Sequence, residues 1–271
     1  MKQQDMFRAY VFDIDNNLRT LNTTIFLQKL NGDWDEVSTE RFAFIRTNLL
    51  EFGYFNEIDY YKSMINFRKE NDDLFVKQIL ESTRASSWQD FVECVNNASI
   101  FAWNTARGHS RSAFKKAAKE MILSNFDGLD YISLIKNQRA YMDFLDIDNS
   151  SLTNEEILDY YINICRFYGM ENDESAMEVL GVKECHDPGV FKPKAFEVFC
   201  EYVKQEFEKI LSNMHVENRM TFLERGMHIG ISDDDSRTVN ILLTSILNRE
   251  RKNINLKIHV YDTSNGKKKV F

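Results

Sequence analysis

The feature that most constrains this chain is a short apolar run that breaks off in carboxylates or hydroxyls, met four times. FRAYVF, residues 7–12, breaks off in Asp13-Ile14-Asp15-Asn16-Asn17. ASIFAW, residues 98–103, breaks off in Asn104 and Thr105. GMHIGI, residues 226–231, gives way to Ser232, Asp233, Asp234 and Asp235, and LKIHVY, residues 256–261, to Asp262, Thr263 and Ser264. Such a run, bounded by polar residues, predicts a strand buried on both faces. Amphipathic stretches lie between them. Residues 194–211 set Phe196, Phe199, Val203, Phe207 and Ile210 at steps of three and four, the apolar stripe of a helix. Residues 110–123 and 236–249 read the same way, and FDGLDYISLI, 126–135, reads as a fifth strand. Alternating strands and helices predict an α/β fold, a mostly parallel sheet with helices on both faces. Active sites of such sheets form at the carboxyl ends of the strands, where the polar clusters fall here.

Two stretches interrupt the alternation. Residues 18–97 begin with a hairpin pattern, NTTIFLQKL, a turn at Asn31-Gly32 and DWDEVS, and continue as aromatic-rich helical sequence. Residues of about 137–187 hold a second helical insertion, with a capping box at Thr153 and Glu156 and a stop at Gly169. A last tight turn is expected at Asn265-Gly266. The expected organisation is a core of residues 1–17 and 98–271, carrying the 137–187 segment, and a separate insertion over 18–97. With 21 Phe and 11 Tyr the chain can bury a large core, which excludes a disordered protein. A net charge of −8 disfavours nucleic-acid coating and anionic membrane surfaces. No apolar run approaches the roughly 18 residues of a membrane helix, and the first residues lack a signal peptide's apolar core. Cys94, Cys165, Cys185 and Cys200 form no CxxC pair. A cytoplasmic location with reduced thiols is the expectation.

Asp13, Asp15 and Asn17 fall at the first, third and fifth positions of a calcium loop, but Leu18 replaces its glycine and Thr24 its closing glutamate. Asp146, Asp148 and Ser150 fail the same test at Ser151 and Ile157. A different order fits. VFDID carries an Asp-x-Asp at the end of the first strand, and IFAWNT ends a strand in Thr105. FKPKAF offers Lys192 at a helix start, and HIGISDDD ends a strand in an acidic pair. In this order and context the four motifs resemble those of the haloacid dehalogenase superfamily, phosphatase branch. The resemblance covers residues 7–16, 98–125 and 190–262. It leaves both insertions as places where that superfamily carries caps.

The resemblance implies a Rossmann-like core with helical and hairpin cap insertions. It implies Asp13 as nucleophile, since a carboxylate can form a transient phosphoryl ester, and Asp15 as general acid, then base. Thr105 would bind a phosphate oxygen, and Lys192 would neutralise the transferring group; Lys194 competes with it. A magnesium ion would be held by Asp13, Asp233, Asp234 and the main-chain carbonyl of Asp15. The usual Gly-Thr after the second motif aspartate is Asn16-Asn17 here, and Asn tolerates the left-handed turn that Gly would make. Arg107, in TARGHS, is a candidate substrate contact, and Asp235 either supports the metal site or caps a helix. The implied activity is a magnesium-dependent phosphomonoesterase acting on a phosphorylated substrate, a small molecule rather than a macromolecule. A phosphomutase, or a non-catalytic phosphate- or protein-binding module on the same scaffold, stands as the alternative.

Overall fold

The computed structural model describes residues 7–183, 185–250, 256–264 and 269–271, so the turn expected at Asn265-Gly266 lies outside the described residues. The chain opens with β1 (Phe7–Phe12), β2 (Arg19–Thr20) and a hairpin of β3 (Thr24–Gln28) and β4 (Trp34–Ser38). There follow α1 (Thr39–Ile45), α2 (Tyr60–Ser63), α3 (Asp72–Glu81), β5 (Thr83–Arg84) and α4 (Trp88–Asn96). The middle of the chain runs through β6 (Ile100–Thr105), α5 (Arg111–Leu123), α6 (Tyr131–Phe144), α7 (Asn154–Ile164), β7 (Arg166–Gly169) and α8 (Asp173–Leu180). The last part holds α9 (Pro188–Asn213), α10 (Val216–Arg225), β8 (Met227–Asp233), α11 (Ser236–Glu250), β9 (Leu256–Asp262) and β10 (Lys269–Val270).

Six strands form the central sheet in the order β10-β9-β8-β1-β6-β7. All neighbours run parallel except β10, which is antiparallel to β9. β1 lies inside the sheet between β6 and β8. All four expected strands are therefore present, and they give the expected α/β sheet. Strand alternation divides its side chains between two cores. Phe12, Phe101 and Trp103 face one core, with Phe75, Phe91, Phe114, Leu134 and Tyr161 from α3 to α7. Phe7, Ala9, Val11, Ile100 and Ala102 face the other, with Phe196, Phe199 and Val203 of α9 and Val239 and Leu242 of α11. Burying large apolar side chains on both faces, at about 1.5–3 kcal/mol each, is what holds the sheet between its helices.

Two readings of the sequence are corrected. FDGLDYISLI forms no strand. Asp130 caps α6, its Oδ1 accepting from the Ser133 N–H at 3.1 Å, and its apolar residues Leu134 and Ile135 lie on a helix face. The fifth parallel strand is instead β7, whose last residue is Gly169, the expected helix stop. The capping box at Thr153 and Glu156 does start α7, but that helix stops at Ile164. Arg166–Gly169 then pairs with Ala102–Thr105, so the 137–187 segment supplies an edge of the central sheet. The 18–97 stretch also divides. Ile25, Leu27, Val37, Ile45, Leu49 and Tyr54 form a small core of their own around the hairpin, whereas α3 and α4 pack into the main core. Among the described residues no helix is long and apolar enough to cross a membrane.

Candidate active site

Pairing fixes which side chains can meet. Phe12 stands opposite Trp103 on β6 and Ser232 on β8. One residue further, Asp13 stands between Asn104 and Asp233. Alternation sends that row to the α9 side of the sheet, the side that Val11 and Ala102 also face. Lys192, in the second turn of α9, meets it there. Its Nζ lies 3.1 Å from Asp13 Oδ1 and 2.8 Å from Asp233 Oδ2. Asn104 Nδ2 donates to the Lys192 carbonyl at 2.9 Å and ties the helix to β6. Lys194 points elsewhere, pairing with Glu197 at 2.8 Å, so Lys192 is the lysine that reaches Asp13.

Asp13, Asp233 and Asp234 each bring a carboxylate oxygen within 4.8 Å of the others. Three carboxylates against one ammonium leave an excess of negative charge in a buried place. The titration of the groups reflects it. Burial first, then Asp233 and Asp234, pushes the Asp13 carboxyl well above the usual range against the pull of Lys192. Burial also raises Asp233, and burial with Asp233 beside it pushes Asp234 up to about 6. Burial alone would discharge Lys192, but Asp13 and Asp233 outweigh it and hold the ammonium above its ordinary value. Hard oxygen donors with surplus negative charge suit a hard divalent cation such as magnesium, so the residues fit the ion that the resemblance implies.

The turn after β1 is built by its asparagines. Asn16 adopts φ 52°, the left-handed conformation that Asn tolerates. The Leu18 and Arg19 amides close the turn on the Ile14 carbonyl at 3.1 and 3.0 Å. Asn17 is fully buried. Its Nδ2 donates to the carbonyls of Asp13 and Ser232, both at 3.0 Å, and to Ser232 Oγ at 2.9 Å. Its Oδ1 accepts from Ser87 Oγ at 2.8 Å and Thr263 Oγ1 at 3.0 Å. The side chain thus pins the ends of β1, β8 and β9 together. In the sequence Asn17 figures only in a failed calcium loop and as a replacement in the motif. A polar residue four positions past Asp13, inside an otherwise apolar ILL-like spacing of Ile14, Leu18 and Leu21, was the available signal.

Asp15 stands beside this cluster, close enough for its charge to act on Asp13 and Asp234. Arg107 clasps its carboxylate at both oxygens, Nη2 to Oδ1 at 2.6 Å and Nε to Oδ2 at 2.8 Å. Arg107, the candidate substrate contact, is itself fully buried, and its partner in the structure is Asp15. Its Nη2 also donates to Thr23 Oγ1 at 2.7 Å, and its Nη1 faces His109 Nε2 at 3.4 Å. Burial first, then Arg107, pushes the His109 imidazole down to about 3, so the ring is neutral at physiological pH. With Nδ1 3.2 Å from Asp72 Oδ1, the ring proton belongs on Nδ1 and the free lone pair faces Arg107. Thr105 is buried, and its Oγ1 accepts from the Arg107 amide at 3.3 Å. Asp235 accepts from the Arg237 amide at 3.1 Å and from Thr238 Oγ1 at 2.8 Å, holding the start of α11. The structure therefore brings Asp13, Lys192, Asp233 and Asp234 together, and places Asp15 and Arg107 beside them as a pair.

The small hairpin unit approaches the same end of the sheet. The Gly108 amide donates to the Phe67 carbonyl at 2.7 Å, Arg68 pairs with Glu171 at 3.1 Å, and the Tyr60 ring lies 5.8 Å from that of His186. No family model, no curated protein and no solved structure matches the chain.

Proposed function

We propose that the protein is a magnesium-dependent phosphomonoesterase acting through an aspartyl-phosphate, built on a Rossmann-like core of the haloacid dehalogenase kind. The observation that carries this reading is the cluster of buried Asp13 and Asp233 with half-buried Asp234 beside Lys192, at the carboxyl ends of two neighbouring strands. Asp13, Asp233 and Asp234 would hold a magnesium ion, whose charge screens the phosphate from the incoming carboxylate. Asp13 attacks phosphorus. A bond forms between its carboxylate oxygen and phosphorus as the bond to the leaving oxygen breaks. The electron pair stays on that oxygen, and Asp15 supplies its proton. Water then attacks the aspartyl-phosphate, gives a proton back to Asp15, and releases phosphate with Asp13 restored. Lys192 holds the Asp13 carboxylate in place and offers positive charge to the transferring group. Thr105 binds a phosphate oxygen.

The hairpin unit, with its own small core and its contacts at Tyr60, Phe67 and Arg68, serves as the cap. Its seat over the loops that carry Gly108, Glu171 and His186 favours a small phosphorylated metabolite over a macromolecule. The four cysteines form no disulfide among the described residues, which suits the reducing cytoplasm.

The test is phosphate release from an aryl phosphate, with and without magnesium, by the native chain and Asp13→Asn. Release that needs magnesium and falls by roughly 10³-fold or more in the variant is expected. Equal release by both proteins would sink the assignment.

A further inference from the structure

Asp15 and Arg107 offer an inference beyond the motif residues, resting on the phosphatase reading. A carboxylate that protonates a leaving group must be aimed at it. Asp15 has four lone-pair positions on its two oxygens, and the fork of Arg107 occupies two of them. The Asp15 side chain is 28% exposed while that of Arg107 has no exposure. The pair thus has a buried side that grips and an open side that faces outward. Bidentate Arg–carboxylate geometry fixes direction as well as distance, and lysine cannot reproduce it.

The grip is seated by other residues. Thr23 Oγ1 takes one Arg107 donor, and His109, held by Asp72, faces another. The guanidinium lies 4.6 Å from the Phe67 ring centre and 5.5 Å from that of Phe75. Thr23, Phe67, Asp72 and Phe75 all belong to the stretch between β1 and β6, the stretch the motifs leave uncovered. We propose that Arg107 is a positioning residue that aims Asp15 at the leaving oxygen, and that residues 23–75 complete the site by seating it. The inserted stretch then has a part in the chemistry as well as in enclosing the substrate.

The experiment compares two probes with the full chain in magnesium. p-Nitrophenyl phosphate has a leaving group that needs no proton; 2-phenylethyl phosphate leaves as an alkoxide and needs one. Arg107→Lys is expected to lower kcat/KM, which reports formation of the aspartyl-phosphate and not its later hydrolysis, by ~100-fold for 2-phenylethyl phosphate and by no more than about fivefold for p-nitrophenyl phosphate, the pattern of Asp15→Asn. Thr23→Val, milder and nearly isosteric, is expected to shift the ratio of the two rates in the same direction by a few-fold. Equal losses of kcat/KM on both probes would overturn the proposal. A crystal structure of Arg107→Lys gives a readout independent of turnover. The Asp15 carboxylate is expected to leave its place while Asp13, Lys192, Asp233 and Asp234 keep theirs. An unmoved Asp15 overturns the proposal, whereas absent turnover by the native chain on both probes overturns the phosphatase reading instead.

Discussion

Asn17 has no exposed surface, and its amide joins Asp13, Ser87, Ser232 and Thr263 through five hydrogen bonds. Asn17→Ala leaves buried hydroxyls and carbonyls without their partners, and each such group costs about 1–3 kcal/mol. A loss of roughly 2–4 kcal/mol is expected after local relaxation, read as a lower urea midpoint with an unchanged slope. Asp234 shows the opposite balance. Its carboxyl titrates at about 6 in the folded protein, against an ordinary 3.8, so the metal-free fold holds that proton more tightly than the unfolded chain does. The stability this adds is complete below about pH 4 and is lost as pH rises through 6. Asp234→Asn should therefore make the metal-free protein more stable at pH 7.5, by about 1–3 kcal/mol. The advantage should shrink to nothing near pH 4. Urea unfolding at the two pH values checks it, and a gain that does not change with pH would contradict the electrostatic account.

At the scale of elements, the turn after β1 and the edge strand β7 set where the site residues stand. Asn16 sits at φ 52°, a conformation that glycine adopts freely and a β-branched residue resists. Asn16→Gly should keep stability within about 1 kcal/mol and keep magnesium-dependent release, while Asn16→Val should lose about 1–2 kcal/mol. Thermal unfolding of both variants decides it. A Cβ on Gly169 would lie 2.5 Å from the Arg107 carbonyl and 3.0 Å from the Phe114 ring. Gly169→Ala must push β7 off β6 or displace the loop that carries Arg107, and a loss of at least about 2 kcal/mol is expected. β7 also shows why its element escaped the sequence reading. Its four residues are too few to display a period, and they follow an amphipathic helix whose apolar face merges into them. Only pairing with Ala102–Thr105 makes them a strand. The false strand at 126–135 failed for the converse reason. A local signal, Asp130 three residues before Ser133, opens a helix there, and apolar content alone could not distinguish the two.

For the whole molecule, the proposed magnesium site would link folding to metal through the acidic triad. A cation that binds the folded chain and not the unfolded one stabilises it by about 2.7 kcal/mol at a hundredfold excess over its Kd. Magnesium should therefore raise Tm in native protein, and chelator should reverse the rise. Asp13→Asn and Asp234→Asn should each abolish most of it. A magnesium effect that persists in both variants would place the ion elsewhere. On that proposal the fold has a reason to tolerate three carboxylates so close together, since the repulsion that weakens the metal-free site is what would attract a divalent cation.

Local pattern along the chain is enough to define four parallel strands, the polar clusters at their carboxyl ends and the amphipathic helices between them. These are properties of local pattern: a buried strand must be apolar along its length, and chemistry must collect where it stops. Asp13, Asp233 and Asp234 were legible for that reason, and the lysines of FKPKAF only through the resemblance. Tertiary structure alone decided that Lys192 and not Lys194 turns inward, that Arg107 grips Asp15, and that Asn17 pins three strands. It alone decided that Asp72 and Thr23, from the inserted stretch, stand behind the site. Each of these depends on which face of an element meets which neighbour. Contacts between residues scores of positions apart leave no mark in local composition or period, because the chain between them carries no record of how it will be folded back.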